Sequence, residues 1–416
     1  MSVRNFGCRL NLSEGDAVAA LGLGSDVIVI NTCAVTNEAV RQAAQAVRRA
    51  AREVPGARIV VTGCAATLDP ARFAAMPGVD RVVANADKLD RGAYPLPLRE
   101  RATQPQAERG EGYAAVGKLP LSPIAPERES PSPSRGEGSH TRAFVEVQTG
   151  CDHRCTFCII PFARGPARSV DAATVVDRIA RLVGSGTREV ILTGVDLTSY
   201  RPSLGMLVQR ILRDVPELPR LRLSSLDSIE VDSALVDALA DRRVMPQLHL
   251  SLQSGDDMIL KRMARRHGSA DAIEFCARVR TMRPDVQFGA DFITGFPTET
   301  DAMFANTLAH VDDCGLTQLH VFPFSARAGT PAARMPQLPT PVRRARARVL
   351  RAAGAARLQT ALTAQLGRRQ RILVEADGTS GHTEHYLPAR LTAPAPRGSI
   401  ASVTAITVAD GVLECR

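Results

Sequence analysis

The sequence predicts an α/β fold class in three parts. These are an N-terminal parallel β/α sandwich, a central partial β/α barrel and a small C-terminal antiparallel β-barrel. Three observations carry this. Over residues 1–96, short β-branched apolar runs alternate with helix-period stretches, as a buried parallel sheet requires. Over 141–323 the alternation returns as six consecutive β/α units. Residues 368–416 instead show short strands broken by hairpin-type turns. For the central part, an open doubly wound sheet is the alternative.

In the front part, Val3 to Phe6, Val27-Ile28-Val29-Ile30 and Ile59-Val60-Val61 read as strands, and 36–52 as a helix with Ala and Val interleaved with Arg. Residues 97–140 change character. Their LPLSPIAPERESPSPSRGEGSH stretch is rich in Pro, Ser, Gly and charge, the composition of a linker. The central strands are expected at 143–148, 189–193, 221–224, 247–251, 286–291 and 317–322. The helices between them are expected at 170–184, 203–214, 232–240, 256–281 (broken near Gly268) and 299–313. Thr340-Pro341 starts a helix by capping Thr and first-turn Pro. It is expected to run to about Leu366, with Gly367 as its stop. Asp377-Gly378 and Asp410-Gly411 mark hairpins. The domains are therefore 1–96, a 97–140 linker, 141–366 and 367–416.

Hydrophobic residues at 44% and charged residues at 23% exclude a wholly disordered or fibrous chain. A formal charge of +9 favours an acidic partner such as nucleic acid. No apolar run approaches the ~20 residues that cross a bilayer, and no secretory signal is visible. A cytoplasmic protein without a membrane partner is expected. In that compartment clustered cysteines are read as metal or redox ligands.

Cys151-Asp-His-Arg-Cys155-Thr-Phe-Cys158 places three thiols within one loop after a strand. Zinc would want a fourth ligand, and His153 is awkwardly placed between the first two cysteines to supply it. Three thiolates suit a [4Fe–4S] cluster with one iron left open. Zinc, or three unrelated buried cysteines, are the alternatives. Cys8, Cys33 and Cys64 are far apart in sequence. Each follows an expected strand, so all three lie at the C-terminal edge of one parallel sheet, where ligands bind in such folds. They are either a second cluster site or buried apolar cysteines. Cys276, Cys314 and Cys415 read as packing residues.

The C-x3-C-x2-C spacing resembles the radical S-adenosylmethionine (SAM) superfamily. That resemblance implies a [4Fe–4S] cluster on Cys151, Cys155 and Cys158, SAM on its open iron, and a partial β/α barrel. SAM-binding residues are expected at the strand ends: Thr193 and Gly194, Gln253, and Ile293 and Gly295 ahead of Glu299. Glu299 reads equally as a dipole partner at a helix start.

The front part resembles the N-terminal domain of the methylthiotransferases. The matching stretches are Gly7-Cys8-Arg9-Leu10-Asn11-Leu-Ser13-Glu14, Asn31-Thr32-Cys33-Ala34-Val35-Thr36 and Val61-Thr62-Gly63-Cys64. The resemblance implies that Cys8, Cys33 and Cys64 hold a second [4Fe–4S] cluster handling the inserted sulfur. The Cys8–Cys33 stretch is short for the family, so a strand is expected to be missing. Asp196 stands where Asn is expected.

Cys158-Ile-Ile-Pro161-Phe-Ala-Arg164-Gly165, Arg222-Leu-Ser-Ser225 and His320-Val-Phe-Pro-Phe-Ser-Ala-Arg327-Ala-Gly-Thr330 are similar to the branch modifying N6-threonylcarbamoyladenosine beside the tRNA anticodon. This implies a methylthio group at C2 of the adenine, with tRNA, an electron donor and a sulfur source as partners. The C-terminal barrel resembles the TRAM domain. Arg343 and Arg344 of the basic helix, with Arg368, Arg369 and Arg371, are candidate RNA contacts that position the backbone without reading sequence. A ribosomal-protein aspartate as substrate, a non-catalytic iron–sulfur RNA sensor and a zinc-stabilised RNA-binding module are the alternatives.

Overall fold

The computed structural model describes residues 1–94 and 141–416. The expected linker falls outside them. The chain divides into two compact units, one of Met1–Cys33 with the chain from Glu38, the other of Ala34–Asn37 with the chain that ends at Arg416.

The first unit is a four-stranded parallel sheet in sequence order, Ser2–Asn5, Val27–Thr32, Arg58–Gly63 and Val79–Val82. Every residue of the two central strands is buried, which explains their unbroken apolar and β-branched character. The stretch between Cys8 and Cys33 holds the helix Arg9–Ala19 between two paired strands. Val79-Asp-Arg-Val82 is short and half charged, so its sequence carries little strand signal. Helix Asn37–Glu53 buries Ala43, Ala44, Val47 and Ala50, one stripe at helical spacing.

The second unit holds six parallel strands in two groups of three. Ala143–Glu146, Glu189–Thr193 and Arg220–Leu223 form one; Gln247–Gln253, Gln287–Thr294 and Leu316–Pro323 form the other. Parallel bridges Leu221–Val244 and Leu226–Leu250 join them. Spatial order follows chain order throughout, the winding of a barrel; a doubly wound sheet reverses. Helices Ala172–Gly184, Leu204–Asp214, Ser233–Ala238, Ser269–Met282 and Asp301–Asp313 pack their apolar faces on the strands. Asp171, Ser203, Asp232 and Thr300 cap four of them by accepting a backbone N–H. The helix expected over 256–281 is two helices, Asp257–Arg262 and Ser269–Met282, divided as expected near Gly268.

Helix Thr340–Thr363 leads into a closed five-stranded barrel. Its strands are Arg369–Val374, Ser380–His382, Pro388–Leu391, Ile400–Ala409 and Val412–Cys415. Cys276, Cys314 and Cys415 are buried in cores, as expected of packing residues.

Where the barrel strands begin, an ionic cluster replaces an apolar floor. Glu189, fully buried, accepts from Arg142 at 3.1 Å and from Arg220 at 3.4 Å, and lies 3.1 Å from Arg222 Nε. The remaining donors reach the small barrel. Arg220 donates to the Arg371 carbonyl (2.7 Å), Arg222 to the Thr383 and Glu384 carbonyls (both 2.9 Å), and Arg142 to Glu375 (2.6 Å). The Tyr386 ring lies under the Arg142 and Arg222 guanidiniums.

Burial opposes ionisation of Glu189, and the guanidiniums of Arg222, Arg142 and Arg220 outweigh it, holding its pKa below the ordinary 4.5. Its contribution to stability is therefore complete above 4.5 and fades as pH falls through the lower folded-state value. Glu189→Gln leaves three guanidiniums around a neutral amide. It is expected to cost about 3–5 kcal/mol of stability at neutral pH, with the deficit narrowing on acidification. Urea unfolding of both proteins across pH checks this.

Candidate functional site

The Cys151–Cys158 loop follows the short strand Gln148–Thr149 and ends in helix Ile160–Arg164. Gly150 turns the chain at φ +71°, where a Cβ would lie 1.9 Å from the Pro166 carbonyl oxygen, so only glycine fits. Backbone bonds then pin the loop. Cys151 N–H donates to the Gly165 carbonyl (3.1 Å), Cys158 N–H to that of Cys155 (3.0 Å) and Thr156 N–H to that of Met263 (3.0 Å). Phe157 packs against the cluster of Ile259, Met263, Phe296, Phe324 and Ala332. The three thiols are thus carried by a loop fixed at both flanks, Cys151 buried and the other two partly exposed.

Charged groups from strand ends and from the 263–268 turn between two helices converge on this loop. Arg265 holds Asp227 (2.9 Å) and the Ser251 carbonyl (2.8 Å) with one nitrogen and places another 3.8 Å from Cys155 Sγ. Asp196 Oδ2 lies 3.6 Å from Cys151 Sγ and 2.7 Å from His153 Nε2. Burial, helped by the Asp196 charge, pushes the Cys151 thiol up to about 12. Burial also raises the Asp196 pKa against the opposing pull of His153. A thiol so placed becomes a thiolate ligand only when a metal replaces its proton. Three thiols on one pinned loop, with a guanidinium 3.8 Å from Cys155 Sγ to offset thiolate charge, fit an iron–sulfur cluster.

Several expected SAM-binding positions have internal duties. Thr193 is buried and its carbonyl accepts from Val147 N–H. The open face of Gly194 admits Gln148, whose Oε1 takes the N–H groups of Val195 and Asp196. Gly295, at φ +67°, passes within 2.4 Å of Arg343 Cγ as measured from an added Cβ, and its N–H donates to Glu299. Glu299 also takes Arg346 at 2.6 Å, which accounts for it structurally. Ile293 packs beside the Phe296 cluster. Gln253 is a non-glycine at φ +69° on a strand end, a strained conformation of the kind found at ligand sites.

In the first unit, Gly7 (φ +95°) and Gly63 (φ +96°) bring the three cysteines to one sheet edge. A Cβ on Gly7 would lie 2.3 Å from Cys33 Cβ, and one on Gly63 2.3 Å from the Thr32 carbonyl oxygen. Cys8 is exposed; Cys33 and Cys64 are buried. Beneath them, Asn11 donates to the Phe6 and Thr32 carbonyls, and Asn31 to Asn5 and the Asn11 carbonyl. Lys88 donates to Glu14 at 2.7 Å and to Asn31 at 3.2 Å, all buried. Asn85 Nδ2 lies 3.5 Å from Cys64 Sγ. The two glycines allow the close approach of these turns, and a largely hydrogen-bonded polar bed lies beneath the three cysteines.

The candidate RNA contacts divide. Arg344, Arg368 and Arg369 are exposed. Arg371 is exposed and pairs with Glu384 at 2.9 Å. Arg343 is turned inward, donating to the Phe324 carbonyl and Thr340. Sequence spacing does not assign Asp227, Arg265 or the His249–Asp291–His320 group. Asp227 and Arg265 lie in connections, and the three others lie on strands, where polar residues on one sheet face carry no signal of their own.

Residues 145–311 match the family model described as the radical SAM superfamily, and residues 1–84 match Uncharacterized protein family UPF0004. Threonylcarbamoyladenosine tRNA methylthiotransferase MtaB of Rickettsia prowazekii is 41% identical over 99% of this chain and 96% of its own. The protein of that name from Bacillus subtilis is 33% identical over 80% and 75%. A tRNA-2-methylthio-N(6)-dimethylallyladenosine synthase of Sorangium cellulosum is 33% identical over 92% and 83%. Among solved structures, the radical SAM methyltransferase TsrM of Kitasatospora setae shares the fold at TM-score 0.52 and 15% identity, covering 77% of this chain and 68% of that one. The partial barrel and its cysteine loop define a radical SAM enzyme. Within that class, the chain belongs to the methylthiotransferase family.

Proposed function

We propose that this protein inserts a methylthio group at C2 of N6-threonylcarbamoyladenosine next to the tRNA anticodon, using two [4Fe–4S] clusters. Cys151, Cys155 and Cys158 would hold one cluster with SAM, and Cys8, Cys33 and Cys64 the other. When bound, cluster and SAM together supply one-electron carbon–sulfur cleavage and a hydrogen-abstracting radical. The chain's own residues do the rest. The pinned Cys loop would fix the position of the cluster, Arg265 would offset thiolate charge at Cys155, and the closed barrel floor at Glu189 would exclude water from below. Thr193, Gly194, Gln253, Ile293 and Gly295 would line SAM at the strand ends, with Gln253 held at a positive φ and the others packed internally. The domains are 1–96, 141–366 and 367–416, the last presenting Arg368 and Arg369 to tRNA phosphates. An electron donor and a sulfur source complete the partners.

The single observation that carries this reading is two sets of three cysteines in one chain, one at the C-terminal ends of three parallel strands and the other on a single loop beyond the first barrel strand. The full-length relatives named for threonylcarbamoyladenosine support the choice of nucleoside. Mass spectrometry of total tRNA nucleosides with and without the gene tests it. Loss of the methylthio form with accumulation of threonylcarbamoyladenosine is expected. An unchanged profile from an expressing strain would overturn it in favour of the ribosomal-protein substrate or a non-catalytic role.

A further inference from the structure

Three side chains inside the partial barrel take no part in the cysteine loop. His249, Asp291 and His320 lie on three consecutive strands, Gln247–Gln253, Gln287–Thr294 and Leu316–Pro323. Asp291 is in register with His320, and Gly289 with His249. Their chain neighbours Leu248, Leu250, Ala290, Phe292 and Val321 belong to the core under the outer helices. By strand alternation the three polar residues therefore face the lumen.

One carboxylate oxygen organises both rings. Asp291 Oδ1 lies 3.0 Å from His249 Nε2 and 3.1 Å from His320 Nδ1. Ser225, from the other half of the barrel, places its hydroxyl 3.4 Å from Asp291 Oδ2. A glycine inside a strand weakens it, yet Gly289 sits mid-strand. A Cβ there would lie 2.7 Å from His249 Nδ1, so the glycine makes room for the ring. Burial opposes ionisation of Asp291, but the two imidazoles outweigh it and hold its carboxyl well below the usual range.

The two histidines differ in access. His249 is buried, and its second nitrogen faces Gly289. The His320 side chain is 55% exposed. With Nδ1 committed to Asp291, its Nε2 is the ring nitrogen offered to the lumen. The same pattern, a carboxylate fixing Nδ1 and leaving Nε2 to work, orients histidines for contact with substrates. Ser251 stands two residues beyond His249 on the same strand, about 7 Å away. Its carbonyl accepts from Arg265, which reaches Cys155. The trio thus lies one short step below the cysteine loop, in the space that a molecule attacked from that loop must enter. Enzymes that do chemistry on a base draw it out of the stack and hold its edge by hydrogen bonds.

We propose that His320 Nε2 contacts the edge of the target RNA base in the barrel lumen, with Asp291 and His249 as positioning residues. The inference rests on the reading of an RNA base as substrate. His320→Phe keeps the ring and removes both nitrogens. Asp291→Asn keeps the shape and removes the charge. His320→Gln returns a polar atom near the position of Nε2. A misplaced base loses about 100-fold in rate. His320→Phe and Asp291→Asn are therefore expected to lose roughly 10- to 100-fold in methylthiolated product. Both should retain deoxyadenosine formation, so the deoxyadenosine made per product rises by the same factor. His320→Gln is expected to recover part of the loss, which a purely structural role would not give. Unchanged iron content and thermal midpoint show that the variants are folded.

Wild-type product yield and coupling in His320→Phe would overturn the inference. So would a fall in deoxyadenosine in step with product, which would place the effect at the cysteine loop. Loss of one zinc per chain in Asp291→Asn would overturn it in favour of a metal centre. A wild-type protein that cleaves SAM yet modifies no tRNA overturns the substrate reading, and the inference with it. That result is read on the wild type alone, so the two failures are distinguishable.

Discussion

Replacing Cys155 with alanine is expected to abolish SAM cleavage and to remove about four iron atoms per chain. Cys155 is partly exposed, and Arg265 stands 3.8 Å from its sulfur. The substitution removes the proposed ligand without opening a core cavity. With only Cys151 and Cys158 left, the loop cannot complete a three-thiolate set. The loop's backbone bonds through Cys151, Thr156 and Cys158 do not involve the Cys155 side chain, so the fold is expected to persist. Iron and sulfide analysis, circular dichroism and deoxyadenosine assay measure the three quantities. Full deoxyadenosine production by the variant would remove Cys155 from the site.

Cys33→Ser is expected to behave differently. The front cysteines lie on a separate sheet edge, and the barrel loop does not depend on them for its local geometry. Deoxyadenosine formation should therefore continue while the methylthiolated nucleoside falls to background, again with a loss of about four iron atoms per chain. Serine keeps the volume against Gly7, where the clearance is smallest. A variant that still delivers the methylthio group would make these three cysteines packing residues. The pair of experiments separates the radical step from sulfur delivery, which loss of total activity alone cannot do.

Much of the fold is legible in the amino-acid sequence. The six barrel strands fall within a few residues of their expected positions, because apolar β-branched runs between helix-period stretches have few other solutions. The break near Gly268 and the Cys151–Cys158 loop are legible because glycine and closely spaced cysteines are local signals; Cys8, Cys33 and Cys64 are related only through the strands they follow. The polar lumen is not. Arg220-Leu-Arg222-Leu alternates charged and apolar residues, yet both arginines are buried under the small barrel. His249, Asp291 and His320 are scattered over seventy-odd residues, and only strand register brings them together. Arg343 reads as one of a run of surface arginines, but the glycine turn at 295 folds over its side chain. Long-range pairing of charges leaves no periodic trace in a single sequence.

The seal between Arg142, Arg220, Arg222 and the 382–386 turn changes what a truncation can report. Deleting the C-terminal barrel would take away the carbonyls of Arg371, Thr383 and Glu384, together with Glu375 and the Tyr386 ring. Three guanidiniums would then face a single carboxylate at an opened floor. A shortened protein that loses activity would be reporting a ruptured catalytic chamber as much as lost affinity for RNA. Charge-removing substitutions such as Arg368→Gln and Arg369→Gln, at exposed positions, are the cleaner way to weigh the small barrel's grip on its partner.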